Sequence, residues 1–125
     1  MLHGAVMDIL ANTVVAFIAL LHIYVLVLEM FLWTKTAGRR AFGLTAEFAQ
    51  ATKVLAANQG LYNGFLAAGL CWSLLSETNG FQLKLFFLGC ILVAGIYGAI
   101  TANKKILFVQ AFPAVLGLVF VVAAR

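Results

Sequence analysis

The sequence predicts an all-α membrane protein, a bundle of four transmembrane helices with both termini on the extracytoplasmic side. Hydrophobic residues make up 65% of the chain and charged residues only 10%, which is too little polar surface for a water-soluble domain of this length. The apolar residues form four long runs instead of alternating with polar ones, as they would in a β-barrel. Short polar connections that contain most of the basic residues separate the runs.

Each run is long enough to cross a bilayer, which takes about 20 apolar residues. We expect the first helix at residues 12–33, the third at 83–102 and the fourth at 106–124. Thr45 can cap a helix N-terminus and Glu47 suits its first turn, so the second helix is expected at residues 45–75. No repeat or linker divides the chain, and residues 1–125 are predicted to form a single domain.

Small residues and one proline predict how these helices pack. The second helix has one face of small residues that would let another backbone approach closely: Ala57, Gly60, Gly64, Ala67, Ala68 and Cys71. The third helix has Gly89, Gly95 and Gly98. In the fourth helix, Pro113 would free the carbonyl of Val109 and kink the helix one turn after Gln110.

The basic residues predict the orientation. Six of the eight flank the first and third connections, namely Lys35, Arg39, Arg40, Lys53, Lys104 and Lys105. The positive-inside rule therefore places these two connections in the cytoplasm and both termini outside. We expect a multi-pass protein of the plasma (inner) membrane, surrounded by lipid. Because the basic residues are not interleaved with aromatic ones along a groove, we expect no nucleic-acid partner.

Polar side chains within the apolar runs indicate where a site would lie, because such groups are costly in lipid and usually face the protein interior or a cavity. His22 and Glu29 lie seven residues apart on the first helix, hence on one face and about 10 Å apart along its axis. Glu29 is expected near the cytoplasmic surface. The other helices contribute six ligand-binding candidates at about that level: Asn58, Gln59, Tyr62, Asn63, Tyr97 and Gln110.

We predict that Glu29 contacts the amides of the second helix directly or through water, with Asn58, Gln59 and Tyr62 as the nearest donors. Three interpretations of Glu29 remain open: a structural hydrogen-bonding hub, a functional carboxylate in a cytoplasm-facing pocket, or a residue close enough to the membrane interface to be hydrated and without a role. His22 is either a buried structural residue or a partner of Glu29 in acid–base catalysis. We expect no metal site and no cofactor, because the sequence has only two histidines and no phosphate-binding loop.

The segments LLHIYVLVLEMFLW and NQGLYNGFLAAG resemble the small membrane-protein family known as domain of unknown function 1304. That resemblance spans nearly the whole chain and implies a four-helix integral membrane unit, without an activity. The chain is also similar in architecture to the membrane-associated eicosanoid and glutathione metabolism proteins, which usually form trimers. Leu55 and Ala57 stand where that family has Arg and His, so its glutathione-binding charges are absent here.

We therefore expect a polar pocket, open to the cytoplasmic side, that binds a small amphipathic or lipid-like molecule and, in a catalytic version of this expectation, also converts it. In the catalytic version, Glu29 and His22 are the acid–base groups. The alternatives are a structural or assembly subunit and, with less support, a small transporter. Close-packing faces on the second and third helices lead us to expect a homo-oligomer.

Overall fold

The computed structural model describes residues Leu2–Arg125, and it is helical nearly throughout. Its α-helices are α1 (Leu2–Phe31), α2 (Thr36–Phe42), α3 (Ala46–Leu75), α4 (Gly80–Thr101) and α5 (Phe112–Ala124), and a π-helix, Leu107–Ala111, leads into α5. No strand occurs among the described residues. The predicted all-α class is confirmed.

Among residues 2–125, three helical segments are long and apolar enough to cross a membrane: Leu2–Phe31, Gly80–Thr101 and Leu107–Ala124. The fourth expected span, α3, has 30 residues and is therefore about 45 Å long, more than a bilayer core requires. Its first two thirds are more polar than the three candidate spans because they carry the amides Asn58, Gln59 and Asn63. The structure therefore supports an integral membrane protein with three clear candidate spans.

Two helices differ from the expected boundaries. Helix α1 begins at Leu2, about ten residues before the predicted start, because the residues preceding Asn12 contain no proline and half of them are strong helix formers (Leu, Ala and Met). The short helix α2 was not predicted at all; it contains one glycine, Gly38, and is followed by a second, Gly43, and glycine is a poor helix former. One of them, Gly43, ends the helix in the left-handed conformation with φ of 64°, a normal use of glycine after a helix.

The predicted start of the second apolar helix is confirmed. The Phe48 amide donates a hydrogen bond of 3.1 Å to the Thr45 hydroxyl oxygen, so Thr45 caps the first turn of α3. Glu47 lies in that turn, where its charge is favourable near the helix N-terminus.

The segment before Pro113 is π-helical. The Phe112 amide bonds the carbonyl of Leu107, five residues back, where an α-helix would use the residue four back. This change of register places Pro113 in the first turn of α5, where a proline is tolerated because its missing N–H would have no partner there. The kink predicted at this proline stays a prediction.

Contacts divide the chain into two compact units, residues 20–67 and the rest. In the first unit, which we call the Leu20–Ala67 unit, the buried side chains come from the end of α1 and the first two thirds of α3, and include Leu28, Ala49, Ala56 and Ala67. In the second unit, α4 and α5 pack closely and bury Leu88, Ile91, Ala114 and Val121. The single-domain organisation stays a prediction.

Candidate functional site in the Leu20–Ala67 unit

Two glycines on α3 bring it close to α1. A methyl group added at Gly60 would lie 2.6 Å from the Met30 side chain and 3.3 Å from the Leu26 carbonyl oxygen, and one at Gly64 would lie 2.8 Å from a Leu26 methyl. Neither position has room for a larger residue unless its neighbours move. The small-residue face predicted for this helix therefore packs against another helix at Gly60 and Gly64, as expected.

This close approach brings a carboxylate and an amide together. Asn63 lies three residues after Gly60, on nearly the same face of α3, and its Nδ2 donates a hydrogen bond of 2.6 Å to Glu29 Oε1. Both side chains are buried, with 8% of Glu29 and 7% of Asn63 exposed. The predicted contact between Glu29 and an amide of this helix is present, and its donor is Asn63.

Glu29 also lines a cleft of about 420 Å³ between the end of α1 and the first half of α3. Apolar walls are formed by Met30, Phe31, Val54, Ala57 and Leu61. The polar lining consists of Glu29, Trp33, Thr34, Lys53 and Asn58. A largely apolar cleft with a few polar groups is the usual form of a small-molecule site.

The end of the cleft near α2 is held by an aromatic cluster. The Trp33 indole nitrogen donates a hydrogen bond of 3.0 Å to Thr52 Oγ1, and the Trp33 and Phe42 ring centroids are 5.0 Å apart. Buried Gly38 lies against the backbone of Leu32 and leaves no room for a side chain. These contacts fold α2 back onto the end of α1 and fix the position of Trp33 beside the cleft.

The other candidate residues of this unit lie in several environments. Asn58 lines the cleft, with its Nδ2 bonded to the Val54 carbonyl at 3.0 Å. Gln59 and Tyr62 are exposed, and the Tyr62 ring pairs with Phe65 at 5.9 Å. His22 is buried, 3% exposed. The structure thus brings Glu29, Asn58 and Asn63 to one cleft or its edge.

Tyr97 and Gln110 belong to the second unit and are described within it. Tyr97 is 69% exposed and borders a shallow apolar groove along α4. Gln110 lies in the π-helix and is half-buried. The ring of polar groups that these two residues were expected to complete around Glu29 stays a prediction.

Sequence reasoning left three polar cleft residues out of the candidate set: Trp33, Thr34 and Lys53. Of these three, only Lys53 entered the sequence analysis, as one of the basic residues that predict the orientation. Their positions in the sequence could have indicated the cleft, since Trp33 is one helical turn after Glu29 and Lys53 is close to one turn before Asn58.

Among the described residues, no group of three metal-binding side chains occurs, and Cys71 and Cys90 are free thiols.

These features define a class of protein: a small integral membrane protein with a buried carboxylate beside an apolar cleft. Comparison with known proteins then gives the family: the family model described as protein of unknown function (DUF1304) matches residues 16–122, and the chain belongs to that family. It is also 30% identical over 115 residues to the uncharacterized protein YpaA of Lactococcus lactis subsp. lactis (strain IL1403), covering 90% of this chain and 97% of YpaA. No solved structure matches the chain.

Proposed function

We propose that the protein binds a small amphipathic or lipid-like molecule in the cleft beside Glu29. The observation that carries this proposal is the position of Glu29, whose carboxylate is held by Asn63 at 2.6 Å and still lines a mainly apolar cleft. An ionisable side chain within a membrane-spanning helix is costly, so its presence at a cleft favours a functional role. The ligand's hydroxyl or amine would donate to the carboxylate, and its hydrocarbon part would lie against the apolar walls.

The remainder of the proposal concerns the membrane. The bundle has four spanning helices, α3 being the fourth, with both termini outside and the cleft open to the cytoplasmic leaflet of the plasma membrane. The six-to-two distribution of basic residues supports this orientation. Single cysteines at Thr36 and at Asn79 in a variant without Cys71 and Cys90 test it in intact cells. Impermeant reagent should label Asn79→Cys only, and labelling of Thr36→Cys from outside would reverse the orientation.

The ligand proposal is tested by identifying the lipids that co-purify with the protein. Wild type, Glu29→Gln and Glu47→Gln are isolated in mild detergent, and bound lipids are compared with the bulk membrane by mass spectrometry. Glu47 is the matched control because it is an exposed carboxylate in the same unit. Loss of one charge-assisted hydrogen bond of about 1.5–3 kcal/mol corresponds to at least a tenfold loss of affinity. We expect one amphiphile to be enriched on wild type and Glu47→Gln and depleted about tenfold on Glu29→Gln.

A second candidate function, that of a structural or assembly subunit, is favoured by the same hydrogen bond. Asn63 provides Glu29 with a direct partner, and Gly60 and Gly64 already hold α1 and α3 together. In that case no amphiphile is enriched over the bulk lipids, and substitutions at Glu29 change the unfolding temperature without changing the lipid profile. Light scattering corrected for detergent tests the proposed homo-oligomer, which a mass equal to one chain would contradict.

If the cleft also converts its ligand, Glu29 is the acid–base group that touches it and His22 is the second candidate. Incubating the purified protein with the identified amphiphile tests this proposal. A product that forms with wild type and with Glu47→Gln but is absent with Glu29→Gln supports an enzyme. An unchanged amphiphile in all three samples leaves binding as the whole function.

A further inference from the structure

A second polar cleft lies in the other unit, beside the connection between α3 and α4. Its volume is about 440 Å³, within the range of small-molecule sites. Four charged side chains line it: Asp8 from α1, Glu77 from the connection, Lys84 from the first turns of α4, and Arg125 after α5. This cleft is separate from the Glu29 cleft and shares no lining residue with it.

Both cations of this second cleft are held in place by uncharged groups. Lys84 Nζ donates a hydrogen bond of 2.7 Å to Asn12 Oδ1. The Arg125 guanidinium carbon lies 4.7 Å from the centre of the Phe81 ring, a cation–π contact. Each group keeps further N–H donors, because an ammonium has three and a guanidinium five.

The two carboxylates line the same cleft without forming ion pairs with the cations. Within the described part of the chain, neither Asp8 nor Glu77 forms an ion pair with Lys84 or Arg125. Charges of opposite sign that line one cleft without pairing with each other are complementary to a ligand that carries both signs. A purely anionic ligand would be repelled by the carboxylates, and a metal ion by the cations.

We propose that this cleft binds a zwitterionic group with a primary ammonium and a phosphate, of the phosphoethanolamine type. The ammonium donates to Asp8 and Glu77, and the phosphate accepts from Lys84 and Arg125. A trimethylated ammonium has no N–H to donate and therefore lacks the hydrogen bonds to the carboxylates. The polar connection immediately precedes the candidate span Gly80–Thr101, so the headgroups of surrounding lipids reach the cleft. Free phosphoethanolamine is the other source of the same chemistry.

The experiment presents the purified full-length protein with equal amounts of phosphatidylethanolamine, phosphatidylcholine and phosphatidylglycerol in mixed micelles. Native mass spectrometry counts the lipids that remain bound. We expect wild type to retain phosphatidylethanolamine at least fivefold over the other two lipids. Asp8→Asn with Glu77→Gln should remove this preference, and Lys84→Gln should lower retention of the same lipid. Two exposed charges elsewhere, Glu47 and Lys104, serve as controls through Glu47→Gln and Lys104→Gln.

A parallel arm measures the unfolding temperature of lipid-depleted protein with soluble phosphoethanolamine. A rise in this temperature that Asp8→Asn with Glu77→Gln abolishes also supports the site and identifies a soluble source. Circular dichroism checks that each variant is folded, and Glu77→Gln alone, in an exposed connection, replaces the double variant if that one unfolds. The proposal is overturned if wild type shows neither a preference for phosphatidylethanolamine nor a rise in unfolding temperature with phosphoethanolamine. It is also overturned if phosphatidylglycerol is retained best, or if the preference survives removal of the carboxylates.

Discussion

The Leu20–Ala67 unit and the α4–α5 region pack their helices in different ways. In the Leu20–Ala67 unit, small residues let α3 approach α1, and a buried carboxylate–amide pair bonds the two helices. In the α4–α5 region, Gly95 lies so close to the π-helix that an added methyl group would come within 2.8 Å of the Ala111 backbone nitrogen. No side-chain hydrogen bond joins α4 to α5 in the described part of the chain.

This difference separates the contacts that hold the helices together from a polar contact that helix association does not require. Small residues alone are sufficient to hold membrane helices together, because dispersion contacts between the backbones supply the attraction. A buried carboxylate is therefore not needed for helix association, and it brings a desolvation cost that the α4–α5 region avoids. The Glu29–Asn63 pair is for that reason the better candidate for a functional group.

The largest loss of stability is expected from Gly95→Ala. The added methyl group would meet backbone atoms of Ala111 at 2.8 and 3.0 Å, and backbone cannot rotate away as a side chain can. Overpacking of this kind costs about 1–3 kcal/mol, so thermal unfolding in detergent should occur at a clearly lower temperature. Gly89→Ala is the matched control, because nothing lies within 4 Å of the methyl group there. Equal unfolding temperatures for the two variants would contradict close packing at Gly95.

A loss of stability of similar size is expected at the Glu29–Asn63 pair. Glu29→Leu leaves the buried amide of Asn63 without its acceptor and should reduce the free energy of unfolding by about 1–3 kcal/mol. Glu29→Gln retains an acceptor oxygen and should stay close to wild type. Adding Asn63→Leu to Glu29→Leu removes the stranded donor and should restore part of the loss. If Glu29→Leu and Glu29→Gln unfold alike, the hydrogen bond contributes nothing to stability.

A smaller effect is expected at the start of α3. Thr45→Ala removes the acceptor of the Phe48 amide, and loss of such a cap costs about 1 kcal/mol. Hydrogen exchange should become faster in the first turn of α3 and stay unchanged in α4. Thr45→Ser keeps the hydroxyl group and should exchange at the wild-type rate. Unchanged exchange in the alanine variant would show that the cap is not needed.

The smallest effect is expected from Trp33→Phe, which removes the hydrogen bond to Thr52 and keeps a ring beside Phe42. A net loss of about 0.5 kcal/mol corresponds to the weaker end of a single hydrogen bond. Trp33→Leu also removes the ring contact and should be less stable than Trp33→Phe. The two unfolding temperatures, measured side by side, separate the contribution of the hydrogen bond from that of the ring contact.

Much of the site could be predicted from residue type and depth. The family resemblance is confirmed, Thr45 is the predicted cap, and Glu29 meets an amide of the expected helix. Asn58, Gln59 and Tyr62 were expected to be the nearest donors, whereas the observed donor is Asn63. Depth along a helix follows from residue spacing, but the rotation of the helix about its axis does not. That rotation depends on which face packs against the neighbour.

The sequence by itself determined the helical class, the apolar segments and the presence of polar groups among them, because each depends on residues close together in the chain. Tertiary structure decided which polar groups meet. Gly60 and Gly64 turn one face of α3 toward α1, and that contact buries Asn63 against Glu29 while Gln59 and Tyr62 remain exposed. The physical reason is that close packing between two helices selects a single rotation of each, and no local pattern in either helix contains that information.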